Sequence, residues 1–204
     1  MKNNPFTKRS GILPSYFAGR ENELKELKNM YNSTKMGVPQ NLILYGQEGI
    51  GKTSLLLKFQ KELKGLDDVY FLQIPLTDGN FDDIYSLIIE KCVDDLNIDI
   101  ADKIASSGIN IPLEGVLMSS ETPKTSPAVA FEKILNIIYD GLDSDQVLIV
   151  LLDDLQRIMG CDETMRVLTI LQTALLELSL KGKNIMFTAT LSEDIFNRIE
   201  DKMD

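Results

Sequence analysis

The chain has 204 residues, enough for one domain with a substantial core, and its 44% hydrophobic and 25% charged composition is that of a globular protein. A formal net charge of −10 repels phosphate backbones and anionic lipid, which argues against nucleic-acid or membrane-surface binding by this segment. With no histidine, and only Cys92 and Cys161, the sequence builds neither a Ser-His-Asp nor a Cys-His nucleophile and fills no zinc site; the two cysteines read as reduced core thiols of a cytoplasmic protein. The longest apolar run, residues 147–152, falls far short of the ~20 residues that cross a bilayer. Lys2, Lys8 and Arg9 are followed by no apolar stretch of the signal-peptide kind.

In chain order, residues 1–18 carry Pro5, Gly11 and Pro14 and read as extended. Residues 20–31 place Leu24, Leu27 and Met30 at helical spacing with charges between them, and with the extended stretch they make residues 1–40 an N-terminal segment and helix. Gly37 and Pro39 break the pattern before a short apolar strand, NLILY at 41–45. A glycine-rich loop follows, then an amphipathic helix over 54–63 and a second strand, VYFLQIPL, over 69–76. A helix over 81–96 carries Ile84, Leu87, Ile88, Cys92 and Leu96 on one side.

Residues 98–127 form a variable insertion, with a hairpin-like stretch at 109–118 and a Ser/Thr/Pro linker at 119–127. That stretch has two readings, a partner contact or a cover for a sheet edge. A helix at 131–142, an apolar strand at 147–152, a long helix at 163–180, a strand at 184–190 and a helix from 193 to 200 complete the chain. Strands alternating with helices predict a three-layer α/β/α domain with a parallel sheet. Strands without polar alternation are what a sheet covered on both faces requires.

Gly46-Gln47-Glu48-Gly49-Ile50-Gly51-Lys52-Thr53 matches the phosphate-loop pattern G-x-x-x-x-G-K-[ST] in full, after a predicted strand and before a predicted helix. Its three glycines let backbone approach a polyphosphate closely. Main-chain N–H groups and the helix N-terminus then face the anion. Lys52 is expected on the β and γ phosphates, the Thr53 hydroxyl on Mg²⁺, and residues Gly46 through Ser54 around the nucleotide. The plainer reading, a glycine turn followed by a chance Lys-Thr, does not account for the flanking strand and helix.

The stretch VLIVLLDD at 147–154 ends in two carboxylates at the carboxyl edge of the sheet, where ligands of open α/β sheets bind. Asp153 is expected to hold Mg²⁺ through water and Asp154 to polarise the attacking water. A strand end with a helix cap is the structural alternative. One strand-and-helix unit stands between the loop and this strand, which leaves room for the 184–190 strand between them. The carboxyl end of that strand would bring Thr190, or as second choice Thr188, beside the γ-phosphate to orient water. A threonine serving only as a β-former is the competing reading.

The segment YFAGRENELKEL before the loop resembles AAA+ and STAND ATPases. Together with LILYGQEGIGKTSLL, IVLLDDLQRI, IMFTAT and the opening NPFTKRSGILPSYFAGRE, it is similar to prokaryotic ATPases related to the origin-recognition AAA+ group, over nearly the whole chain outside 98–127. The resemblance implies that residues 1–204 are a nucleotide-binding core taking ATP or ADP with Mg²⁺. It puts Phe17, Ala18, Gly19 and Arg20 near the base, Lys52 and Thr53 on phosphates and magnesium, Asp153 and Asp154 at the Walker B position, and Thr190 at sensor 1.

It further implies the strand order 5-1-4-3-2, with strand 5, a helical lid with its sensor 2 arginine, and C-terminal domains expected beyond Asp204. The 41–45 strand then lies at the sheet margin, which favours self-association or pairing with another protein. Asp154 stands where vigorous motors carry Glu, which implies slow turnover and a switch. Arg198 reads as a surface arginine in preference to an arginine finger. The alternative functions are a DNA-associated initiator or loader whose DNA contacts lie outside this segment, and a signalling scaffold that holds nucleotide without turnover.

Overall fold

The computed structural model describes residues 17, 19–76, 87, 103, 106, 127–142, 146–157 and 160–203. Its helices are α1 (Glu21–Lys35), α2 (Lys52–Leu63), α3 (Pro127–Asp140), α4 (Gly160–Leu180) and α5 (Glu193–Met203). Its strands are β1 (Gln40–Gly46), β2 (Val69–Pro75), β3 (Val147–Asp153) and β4 (Ile185–Ser192), and a 3-10 turn spans Leu155–Arg157. The helix expected at 81–96, the hairpin at 109–118, the linker at 119–127 and Cys92 lie outside the described residues, a few positions apart. Three helices start earlier than the apolar spacing suggested, α2 at Lys52, α3 at Pro127 and α4 at Gly160, because first-turn residues need no apolar contact to be helical.

The four strands form one parallel sheet in the order β1-β4-β3-β2, with β4 between the first and third strands as the sequence predicts. β3 is buried at every position and β4 at all but its last. Alternation divides their side chains between two cores. Val147, Ile149 and Leu151 of β3 and Met186 of β4 meet Leu27 and Tyr31 of α1 and Leu55, Leu56, Phe59 and Leu63 of α2. Leu148, Val150 and Leu152, with Phe187, Ala189 and Leu191, meet α3, α4 and Ile199 of α5. The sheet is therefore the middle of three layers.

Helical spacing of apolar residues accounts for the helix contacts: Leu55, Leu56, Phe59 and Leu63 share one side of α2, and the Phe59 ring meets Phe71 of β2 edge-on at 6.0 Å. α4 stops in a Schellman turn, where the Lys183 N–H reaches the Leu178 carbonyl and the Gly182 N–H the Ser179 carbonyl.

Among the described residues β1 pairs with β4 alone, so the strand that leads into the glycine loop is at the sheet margin. Its apolar NLILY sequence reflects its faces and not its edge. Leu42 and Leu44 are half-buried against the α1/α2 core and Ile43 against the other. At the strand's carboxyl end the exposed Tyr45 ring lies flat on Phe196 of α5, centroids 3.7 Å apart and planes 6° apart. No described helix is long and apolar enough to cross a membrane.

Asp68, just before β2, ties α1 to the amino edge of the sheet. Its Oδ1 accepts the Tyr31 hydroxyl at 2.8 Å and its Oδ2 pairs with the Lys35 ammonium. Chiefly through Lys35, and also through Tyr31, the carboxyl is held below the usual aspartate value, while burial and Asp68 push the Tyr31 phenol up. A depressed folded value means stability that is present above the unfolded pKa of about 3.9 and is lost as pH falls through the folded one. Asp68→Asn is expected to cost about 1 kcal/mol at neutral pH, discounted for the half-exposed lysine. Urea titrations should show that difference shrinking as the pH drops below the carboxylate range.

Candidate functional site

The loop between β1 and α2 is shaped to surround an anion. Gly49 and Gly51 hold φ of 80° and 99°, in the left-handed region, and Gly51 is the residue from which α2 departs. No side chain caps that helix and no acid lies in its first turn. Its leading N–H groups and the positive end of its dipole are left for a ligand. The Lys52 ammonium turns back over the loop and donates to the carbonyls of Gly46 at 2.8 Å and Gln47 at 3.0 Å. Phosphate oxygens would take the place of those two acceptors.

Across from the loop, β3 delivers Asp153 at 7% exposure. Its Oδ1 accepts two hydroxyls, from Thr53 at 3.1 Å and from Thr190 at 2.7 Å. Thr53 belongs to α2, Asp153 to β3 and Thr190 to β4, so three elements converge on one oxygen. Thr190 Oγ1 in turn accepts the Asp154 N–H at 2.7 Å. Asp154 has φ of 61°, one of two non-glycine residues with positive φ among those described, the other being Arg20. Its carboxylate accepts from the Gln156 amide at 2.9 Å and pairs with the Arg157 guanidinium at 3.4 Å.

Gln156 and Arg157 were not singled out by the sequence, and only their position directly after the acidic pair hinted at a contact. The Gln156 Oε1 is buried without a hydrogen-bond donor among the described residues, as is the hydroxyl of Thr188.

The N-terminal residues make contacts within the protein. Arg20 donates to the Ile50 carbonyl at 3.3 Å and to Glu23 at 3.0 Å, which fastens the start of α1 to the glycine loop. Phe17 packs on the α1/α2 core, Gly19 donates to Glu21, and Ala18 lies outside the described residues. Glu48 and Ile50 are exposed on the loop, and Arg198 is exposed on α5. A groove of about 520 Å³ lies at the amino edge of the sheet, lined by Leu57, Leu63, Leu66, Val69 and Phe71, away from these residues.

Thr53 and Asp153 offer the oxygen donors that Mg²⁺ takes, one carboxylate and one hydroxyl beside a phosphate site. No cluster of three or more Cys, Asp or Glu side chains suited to a metal occurs among the described residues. An ion here would therefore complete its shell from phosphate and water, as Mg²⁺ commonly does.

A parallel sheet with an anion-shaped loop after its first strand and a carboxylate at the end of its third defines the P-loop ATPase class of fold. Within that class the chain belongs to the AAA ATPase domain family, whose model matches residues 16–185. Among solved structures it is similar to Cdc6p from Pyrobaculum aerophilum, with a TM-score of 0.60, 16% identity and coverage of 95% of this chain and 44% of that one. It is also similar to the ORC2 protein of Aeropyrum pernix, solved as ADPNP-ADP complexes, with a TM-score of 0.56, 20% identity and coverage of 96% and 47%. A Walker-type ATPase of Pyrococcus abyssi aligns with a TM-score of 0.50, 18% identity and coverage of 99% and 52%. The chain thus spans about half the length of each of these relatives. No curated protein matches the sequence.

Gly51→Ala isolates the cost of the loop's backbone, because an added Cβ meets nothing within 4 Å while φ stays at 99°. Left-handed strain of about 1–2 kcal/mol is expected. Urea unfolding should show the midpoint falling while the slope is unchanged.

Proposed function

We infer that this domain binds Mg-ATP in the glycine loop and hydrolyses it slowly, acting as a nucleotide-driven switch inside the cell. The observation that carries this reading is the convergence of Thr53, Asp153 and Thr190 on one oxygen beside a loop whose amides and lysine are arranged for polyphosphate. Lys52 would exchange its two carbonyl partners for β and γ oxygens. Thr53 and Asp153 would hold Mg²⁺, which supplies charge neutralisation on the β and γ phosphates. Asp154, at the carboxyl end of β3 and partly exposed, is the group to accept a proton from the attacking water.

Two features support slow turnover. Asp154 is engaged by Gln156 and Arg157, partners with which an attacking water would have to compete for its oxygens. The arginine seen bonded to the loop, Arg20, is committed to the Ile50 carbonyl. Homo-oligomerisation through the open β1 edge is part of the same proposal.

A second reading, an initiator or loader acting on DNA, draws on the likeness to the Cdc6p and ORC2 proteins. The −10 charge argues against a DNA contact within these 204 residues. Binding of duplex DNA by this chain at physiological salt would favour that second reading.

Lys52→Ala removes the loop's point charge, so calorimetry should show ATP affinity lowered at least about tenfold, the equivalent of one lost charged hydrogen bond. Unchanged affinity would remove the loop from the mechanism. Asp154→Asn should keep Mg-ATP binding and lower turnover by about 10², the low end of a general base's contribution. A phosphate-release assay at wild-type rate would show that Asp154 has no such part.

A further inference from the structure

We propose that Thr190 is a positioning residue for the two carboxylates and does not touch the γ-phosphate, an inference that rests on the ATP reading above. Its side chain is fully buried and its hydroxyl has a single proton. That proton is given to Asp153 Oδ1 at 2.7 Å. Phosphate oxygens only accept hydrogen bonds, so a γ-phosphate contact requires a donor, and Thr190 has no other. Its Oγ1 is used as well, accepting the Asp154 N–H at 2.7 Å.

One hydroxyl therefore fixes two things of different kinds. It holds the Asp153 carboxyl in the orientation that also receives the Thr53 hydroxyl at 3.1 Å, which sets the magnesium side of the site. It also bonds the main-chain N–H of Asp154, which lies in the left-handed region at φ 61°, a conformation that aspartate adopts more readily than most residues but at some cost. From that backbone the Asp154 carboxylate turns toward Gln156 and Arg157. Both effects are present without nucleotide and are indifferent to the third phosphate. Thr190 thus acts on Mg-ADP and Mg-ATP alike.

Thr190→Val keeps the shape and removes the hydroxyl; Thr190→Ser keeps the hydroxyl. Calorimetry of Thr190→Val should show Mg-ATP and Mg-ADP weakened by the same factor, about fivefold for loss of the bond to Asp153, the one of its two bonds on the magnesium side. Binding in EDTA should be unchanged, and Thr190→Ser should stay within about twofold of wild type, less than half of one such bond. Loss of ATP affinity with ADP affinity intact would overturn the proposal and restore a γ-phosphate contact. So would equal losses in Thr190→Ser and Thr190→Val, or no loss in either.

Amide hydrogen exchange in the nucleotide-free protein decides the structural half without any ligand and without the valine variant. The Asp154 N–H should be protected in wild type and in Thr190→Ser, and exchange at the rate of an open amide would overturn the clamp. A wild type that binds no nucleotide but protects the Asp154 amide would refute the ATP reading and leave the clamp standing.

Discussion

Asp153 places a carboxyl group at 7% exposure between two buried strands, and a carboxyl so placed is costly unless its oxygens are bonded. The Thr53 and Thr190 hydroxyls both bond its Oδ1, one from α2 and one from β4. Because Thr53 lies in the first turn of α2, the same bond fixes where the glycine loop sits relative to the sheet. Because Thr190 lies in β4, it fixes the height of that strand against β3. Position of loop, position of acid and pairing of the central strands are one constraint expressed in three elements.

The two cores impose the same register independently. Side chains of β3 and β4 alternate between the α1/α2 face and the α3/α4/α5 face. A slip of one residue in either strand would turn its whole set over. Asp153 would then face Leu155 and the α4 side chains, with no hydroxyl to receive, and Thr190 would exchange places with Ala189. Packing energy distributed over many apolar contacts thus protects a site made from a few polar ones. Full burial of β3 at seven positions makes that protection strong, since each large apolar side chain contributes about 1.5–3 kcal/mol.

Much of this was legible in the residues. The apolar VLIVLLDD run gave a both-faces-buried strand with its acids at the carboxyl edge, and one intervening strand-and-helix unit predicted β4 between β1 and β3. That Thr53, Asp153 and Thr190 meet follows from strand ends sharing an edge. The particular oxygen they share does not, because rotamers answer to neighbours far away in sequence.

Other features were hidden for the same reason. The bond from Arg20 to the Ile50 carbonyl joins a side chain to backbone, and backbone carbonyls carry no sequence signature. The left-handed φ of Asp154 is invisible because aspartate is common in ordinary conformations too. The marginal place of β1 came from the strand order and not from its NLILY run, since composition reports what covers a strand's faces and is silent about its edges.

The strand order also has a consequence for how the molecule comes into being. Among the described strands β1 is synthesised first, yet it pairs with β4, the last of the four, with Gln40 aligned on Met186. Pairings that distant in sequence form slowly, since the intervening chain must be ordered before they yield any contact. β2 and β3 can associate while β1 still has no neighbour to join. On a ribosome the glycine loop would hang from an apolar strand without its β4 partner until residues 185–192 had emerged. During that interval the strand is an apolar segment of the nascent chain in need of shelter, and the glycine loop that it carries waits with it.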